Sequence, residues 1–235
     1  MGWDGQAIRR LCRRTSLDWL GRRLPDASQW VNARLCEPGT AYCRSCGQTS
    51  HHRLEKKRCP NCRRPPLGID GIIRLGTFDG PCGQLISALK YEGWWELTKP
   101  LGTRLADAVR LAYGPDWMRG AVVVPIPSVL SRLRTGRHTR ELANEMGRRG
   151  GATVSATLWR SMGKRQVGCT RSERLQARNR GWHLHPFRRQ RLVGRDILLV
   201  DDVMTTGRTA SLASQIIRQM EVRSVVLAVV AVTEV

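Results

Sequence analysis

Apolar residues along the chain follow two periods. Four stretches have the run or alternation of strands: 70–78, 121–124, 197–200 and 222–232. Ala121 to Val124, Ile197 to Val200 and the valine-rich last stretch are nearly unbroken, which suits parallel strands covered on both faces. Between them, apolar positions recur at three and four residues, so 84–91, 97–111, 139–149 and 210–220 read as helices. Strands alternating with helices predict an α/β domain over 68–235, built on a parallel sheet with helices on both sides.

The first 35 residues have a different pattern. Ile8, Leu11, Leu17, Leu20 and Leu24 recur at roughly helical spacing with arginines between them, and Pro25 ends the run. A second helix fits 27–35. The segment reads as amphipathic helix packed on a neighbouring module or a partner. Trp3, Trp19 and Trp30 fit packing better than base stacking, because they share that helical spacing.

Residues 36–67 read as a module of their own, with Pro65-Pro66 in the linker that follows it. Cys43 and Cys46 form one CxxC pair, and Cys59 and Cys62 form a second after twelve intervening residues. Two such knuckles point four thiolates inward, the donor set of tetrahedral zinc. With all four positions filled by sulfur the site is closed, hence structural. A module this small needs the metal to fold. His51 and His52 are expected to face solvent, and Cys36 is a poorer ligand than the four. Gly47 and Pro60 suit the tight turns of the knuckles.

The most informative stretch is 196–209. Ile197 to Val200 run into two adjacent carboxylates, Asp201 and Asp202, at the expected strand end. Thr205, Thr206, Gly207, Arg208 and Thr209 follow, then a helix. A helix start offers unpaired N–H groups with partial positive charge. Gly207 permits a close approach of backbone to ligand, and the threonines add hydroxyl donors. Such a loop suits a phosphate monoester. Carboxylates at the carboxyl end of a strand lie where open α/β sheets bind ligands, and they accept hydrogen bonds from ribose hydroxyls. The plain alternative is a buried strand with a capped turn, but adjacent acids on a core strand are costly to bury without a role.

Charge widens the possible partners. The chain carries 40 Lys and Arg against 19 Asp and Glu, a formal charge of +21. That balance suits polyanions. The arginines are scattered from Arg9 to Arg223, however, so a diffuse surface excess explains them equally well. The 8 cysteines occur without an apolar secretion signal in the first 35 residues, and no apolar run reaches membrane-spanning length. A cytoplasmic protein with thiols kept reduced or metal-bound is expected.

The stretch 196–209 resembles the signature with which type I phosphoribosyltransferases bind phosphoribosyl pyrophosphate (PRPP). More widely, from Cys43 to the end, the chain resembles the ComF family, whose members carry a four-cysteine zinc module before a domain of that fold. The likeness rests on the two CxxC pairs, on Leu89-Lys90-Tyr91-Glu92-Gly93, on Val124-Pro125-Ile126-Pro127, on Gln166, and on Arg174 and Arg178-Asn179-Arg180-Gly181-Trp182. It implies that Asp201 and Asp202 hold the ribose hydroxyls and that Thr205, Thr206, Gly207, Arg208 and Thr209 hold the 5′-phosphate. Arg132 or Arg134 then becomes a pyrophosphate contact, and Arg165 or Arg171, in an arginine-rich flap over 161–180, a group facing the departing charge. Structural Zn2+, and Mg2+ with PRPP, are the implied ions; no general base is implied, and Lys90 is a family position of unknown role. Where family members carry Arg-Gly-Phe-Asn-Gln, this chain has Thr135-Gly136-Arg137-His138-Thr139. Family links to DNA uptake in competence imply single-stranded DNA and a helicase as partners. Three functions are therefore expected to compete: a phosphoribosyltransferase (glycosyltransferase class), a non-catalytic DNA-uptake accessory, and a regulator sensing PRPP or nucleotides.

Overall fold

In the computed structural model the described residues are 27–28, 31, 42–50, 59, 62, 68–127, 137–160 and 181–234. Among the described residues from 68 onward, seven strands and five α-helices follow in order: β1 (Gly71–Thr77), α1 (Pro81–Tyr91), α2 (Thr98–Tyr113), α3 (Pro115–Gly120), β2 (Val122–Pro125), α4 (His138–Gly150), β3 (Thr153–Val154), β4 (Leu158–Arg160), β5 (Trp182–Leu184), β6 (Asp196–Met204), α5 (Arg208–Arg218) and β7 (Ser224–Val232). Short 3-10 turns cover Trp95–Leu97 and Arg189–Leu192.

The main sheet has the order β1-β7-β6-β2-β3, and every pairing in it is parallel. β4 and β5 pair antiparallel as a separate two-stranded ribbon. The two longest strands, β6 and β7, sit side by side near the middle, in register from Asp196 and Ser224 to Met204 and Val232. Their side chains alternate between two cores, as the period of two demands. Leu198, Val200, Val226, Ala228 and Val230 join Leu85, Leu101, Leu105, Leu142 and Met146 on the α1–α4 side. Ile197, Leu199, Val225, Leu227 and Val229 join Ala213, Ile217, Leu158 and Trp182 on the α5 and ribbon side. The expected parallel sheet with two covered faces is therefore present.

Val31 belongs to the first core, with Ala27 packed against it, so part of the N-terminal segment contributes to the α1–α4 layer. Ala27, Ser28 and Val31 are helical, as expected for 27–35. The helix expected around Ile8 to Leu24, with Trp3, Trp19 and Trp30, lies outside the described residues. Three elements have no counterpart in the sequence pattern: α3, the two-residue edge strand β3, and the β4–β5 ribbon. All are too short to establish a period.

The strand expected over 197–200 is longer than its apolar run. β6 continues through both acids to Met204, because β7 carries on beside it and keeps supplying backbone partners, with Asp201 opposite Val229 and Val203 opposite Ala231. The acidic pair therefore lies within the strand and not at its end. No helix among the described residues is long and apolar enough to cross a membrane.

Candidate functional site

Because Asp201 and Asp202 are adjacent in a continuing strand, they point to opposite faces of the sheet. Asp201 shares the parity of Ile197 and Leu199. It lines a small hollow with Val203, Met204, Thr205, Gly207, Arg208, Thr209, Ala210, Leu227 and Val229. The cavity measures about 30 Å³ and opens to solvent, so a ligand on it would extend outward from the wall. Thr206 is exposed and is not part of its wall.

Asp202 faces the α1–α4 side, where its side chain is only 7% exposed. Lys90 Nζ, from the last turn of α1, donates to its Oδ1 at 2.8 Å. His138 Nε2, from the first residue of α4, bonds its Oδ2. The three groups come from three elements, and the imidazole is 4% exposed. Burial pushes the Asp202 carboxyl up, but the His138 hydrogen bond and the Lys90 charge outweigh it and hold the group below its ordinary value. Asp201 has the opposite balance. Burial, followed by the Asp202 charge, pushes it up to about 8, against the opposing Asp202 N–H bond to its Oδ1 and the Lys90 charge. At neutral pH the doublet thus holds one proton and one negative charge, with the proton on the side of the hollow.

Gly207 begins α5 in the left-handed region, φ 69°, a conformation that a side chain makes costly. Its carbonyl accepts from Ser211 N–H and Ser211 Oγ, both at 2.9 Å. No side chain caps the helix start, so the first N–H groups of α5 remain donors beside the hollow. The local structure follows the expected order of strand, turn, glycine and uncapped helix.

The cysteine pairs form the second site. The Sγ atoms of Cys43, Cys46, Cys59 and Cys62 all lie within 4.8 Å of one another. Cys46 and Cys59 are 3.7 Å apart, and tetrahedral zinc with bonds of about 2.3 Å requires sulfurs roughly 3.8 Å apart. The backbone N–H of Cys59 donates to Cys43 Sγ at 3.2 Å, the amide-to-sulfur bond that steadies a thiolate. The donor set fits a closed structural metal such as zinc.

This knuckle is bolted to the sheet. Ile72 N–H of edge strand β1 donates to Arg44 O at 2.7 Å. The Arg74 side chain, 2% exposed, lies over the Tyr42 ring, donates to Thr49 Oγ1 at 2.6 Å and pairs with Glu234 at 3.3 Å. Gln48 Nε2 donates to Thr233 O at 3.0 Å, just beyond β7. The module therefore covers the free edge of β1, which a parallel sheet would otherwise leave open to other chains.

Of the arginines expected near pyrophosphate, Arg132, Arg134, Arg165 and Arg171 lie outside the described residues. So do Cys36, His51, His52 and Gln166. His138, which holds Asp202, carries no signal of this role in the sequence. Lys90 is visible there only as a family position. Nothing in a linear pattern signals a contact between residues 64 positions apart.

No family model matches the chain. Over 197 residues it is 24% identical to competence protein F of Haemophilus influenzae, a similarity covering 78% of this chain and 81% of that protein. Among solved structures, the crystal structure of TT1426 from Thermus thermophilus aligns with a TM-score of 0.36 and 21% identity, over 58% of this chain and 81% of that one. The chain is thus similar to competence protein F over most of its length, and it joins a four-cysteine cluster to a parallel α/β sheet.

Proposed function

We propose that the hollow at the end of β6 binds the 5-phosphoribosyl end of PRPP and that the protein is a phosphoribosyltransferase. The observation carrying this reading is the uncapped start of α5 behind Gly207, with Asp201 in the wall beside it. In the bound state the 5′-phosphate sits on the first N–H groups of α5 and the hydroxyls of Thr205 and Thr209. Arg208 supplies a nearby positive charge. Asp201, protonated at neutral pH, donates to one ribose oxygen and accepts from a hydroxyl with its other oxygen. Asp202 orders the site from behind, fixed between Lys90 and His138.

In the transfer, the bond from ribose C1 to the pyrophosphate oxygen breaks and a bond from C1 to the acceptor's nucleophile forms. The electron pair of the broken bond leaves on pyrophosphate. Magnesium supplies charge neutralisation on that leaving group. Bound with pyrophosphate, the ion would be held mainly through the ligand, since Asp202 is engaged by Lys90 and His138.

A second reading is an accessory of DNA uptake that keeps the fold without transfer. It is favoured by the ties on Asp202, by the excess of 40 cationic over 19 anionic residues, and by the name of the Haemophilus relative. Calorimetric titration with PRPP and magnesium decides between them. Stoichiometric heat for the wild type, lost in Asp201→Asn/Asp202→Asn, is the expected result. Absence of heat in the wild type, together with salt-dependent binding of a single-stranded oligonucleotide, supports the accessory reading instead.

A further inference from the structure

A second cavity opens at the other edge of the sheet and shares no lining residue with the hollow of β6. β3 pairs with only the first two residues of β2, at Val122 and Val123, while β2 continues to Pro125. Ser155 N–H still donates to Val123 O at 2.9 Å, and beyond it no described strand pairs with this side of β2. α4 roofs this gap from one face and the 3-10 turn Arg189–Leu192 approaches from the other. The cavity between them measures about 280 Å³ and is lined by Pro125, Arg140, Asn144, Val154, Ser155, Ala156, Arg188 and Arg191.

Its chemistry is one-sided. Among the described residues, three guanidinium groups line it and no carboxylate does. Arg188 is braced by donating from Nη1 to Ala156 O at 3.2 Å, which leaves the rest of its fork for a ligand. None of the three is ion-paired with a carboxylate among the described residues. Of the lining residues, Asn144 donates to an acid, Glu141, at 3.4 Å. Ser155, buried, adds a hydroxyl already linked to Thr157 at 2.7 Å. Like charges gathered in a recess repel unless an anion answers them, and planar guanidinium forks match phosphate oxygens two at a time.

We propose that this edge cavity binds a compact oligophosphate, such as the phosphate chain of a nucleoside di- or triphosphate. Three cations lining about 280 Å³, one of them braced through Ala156 O, call for several negative charges in a small volume. A phosphodiester backbone carries only one charge per phosphate and spreads them along an extended strand, so it answers the recess less well. The site is separate from the cradle at Gly207 and does not depend on what that cradle binds.

The test is calorimetric titration of the full chain with inorganic triphosphate. One site is expected, weakened about tenfold or more by Arg188→Ala or Arg191→Ala, as loss of a charged hydrogen-bond partner predicts. Arg140→Ala is expected to act likewise. Asp201→Asn, in the other hollow, is expected to leave this binding unchanged. Circular dichroism confirms that each variant is folded. The proposal is overturned if wild-type protein takes up no triphosphate, or if the arginine variants bind it normally while Asp201→Asn does not. It is also overturned if a single-stranded oligonucleotide without terminal phosphates binds these arginines and triphosphate fails to displace it.

Discussion

Asp201 and Asp202 are neighbours in sequence with opposite electrostatic fates, and each yields a pH-dependent expectation. Asp202 is held below its ordinary value, so its contribution to stability is complete above the unfolded carboxylate value of about 3.9. It is lost as pH falls through the lower folded value. Asp202→Asn leaves Lys90 and His138 facing a neutral amide and is expected to cost about 1–3 kcal/mol at pH 7, with the deficit shrinking in urea melts below pH 4. Asp201 is raised to about 8, so the folded state binds more proton than the unfolded chain between pH 4 and 8. Stability therefore falls as pH rises across that window. Asp201→Asn removes the slope, and at pH 8.5 the variant is expected to be more stable than wild type by on the order of 2 kcal/mol, since water at the mouth of the hollow screens part of the cost. A wild-type melt with no decline between pH 5 and 8 contradicts this assignment.

The turn from β6 to α5 is legible as an element because its chemistry is local. Glycine followed by an uncapped helix start needs no distant partner to be recognised. Gly207→Ala forces a side chain into φ 69° and is expected to cost about 1 kcal/mol in thermal melts and to abolish PRPP binding. The docking of the knuckle on β1 is not legible, because it depends on Arg74, which in sequence is a lone cation within a strand. Arg74→Ala strips Tyr42, Thr49 and Glu234 of their common partner. A loss of about 1–3 kcal/mol is expected by denaturant unfolding, with the helical signal at low denaturant preserved. The longer β6 and the short β3 follow the same rule. Strand ends are decided by what the neighbouring strand offers and not by the run of apolar residues.

At the scale of the whole molecule, the four-cysteine cluster and the sheet are one structural unit. Gly47, at φ 79°, sits so close that a Cβ there would lie 3.0 Å from Met204 Cε and 3.1 Å from Val232 Cγ2, both at the end of the central strands. Removing the metal should therefore act beyond the knuckle. A strong chelator, or Cys43→Ser, is expected to lower the melting temperature of the entire domain and to expose the β1 edge, so that the protein self-associates in light scattering. An unchanged transition after complete metal removal shows that the sheet stands without the knuckle. Lys90, Asp202 and His138 show the same integration at a smaller scale, since α1, β6 and α4 meet at one carboxylate.

Sequence by itself determined the parallel α/β class, the order of its main elements, the four thiols and the phosphate-suited turn. Each of these rests on spacing within one segment: the periods of two and near four, a CxxC pair, a glycine before a helix. Tertiary structure alone decided that the two acids straddle the sheet, that Lys90 and His138 claim one of them, and that the knuckle seals an edge. It alone brought Arg140, Arg188 and Arg191 around one recess. These facts concern residues far apart along the chain, and only the packing of strands and helices against one another sets which of them meet.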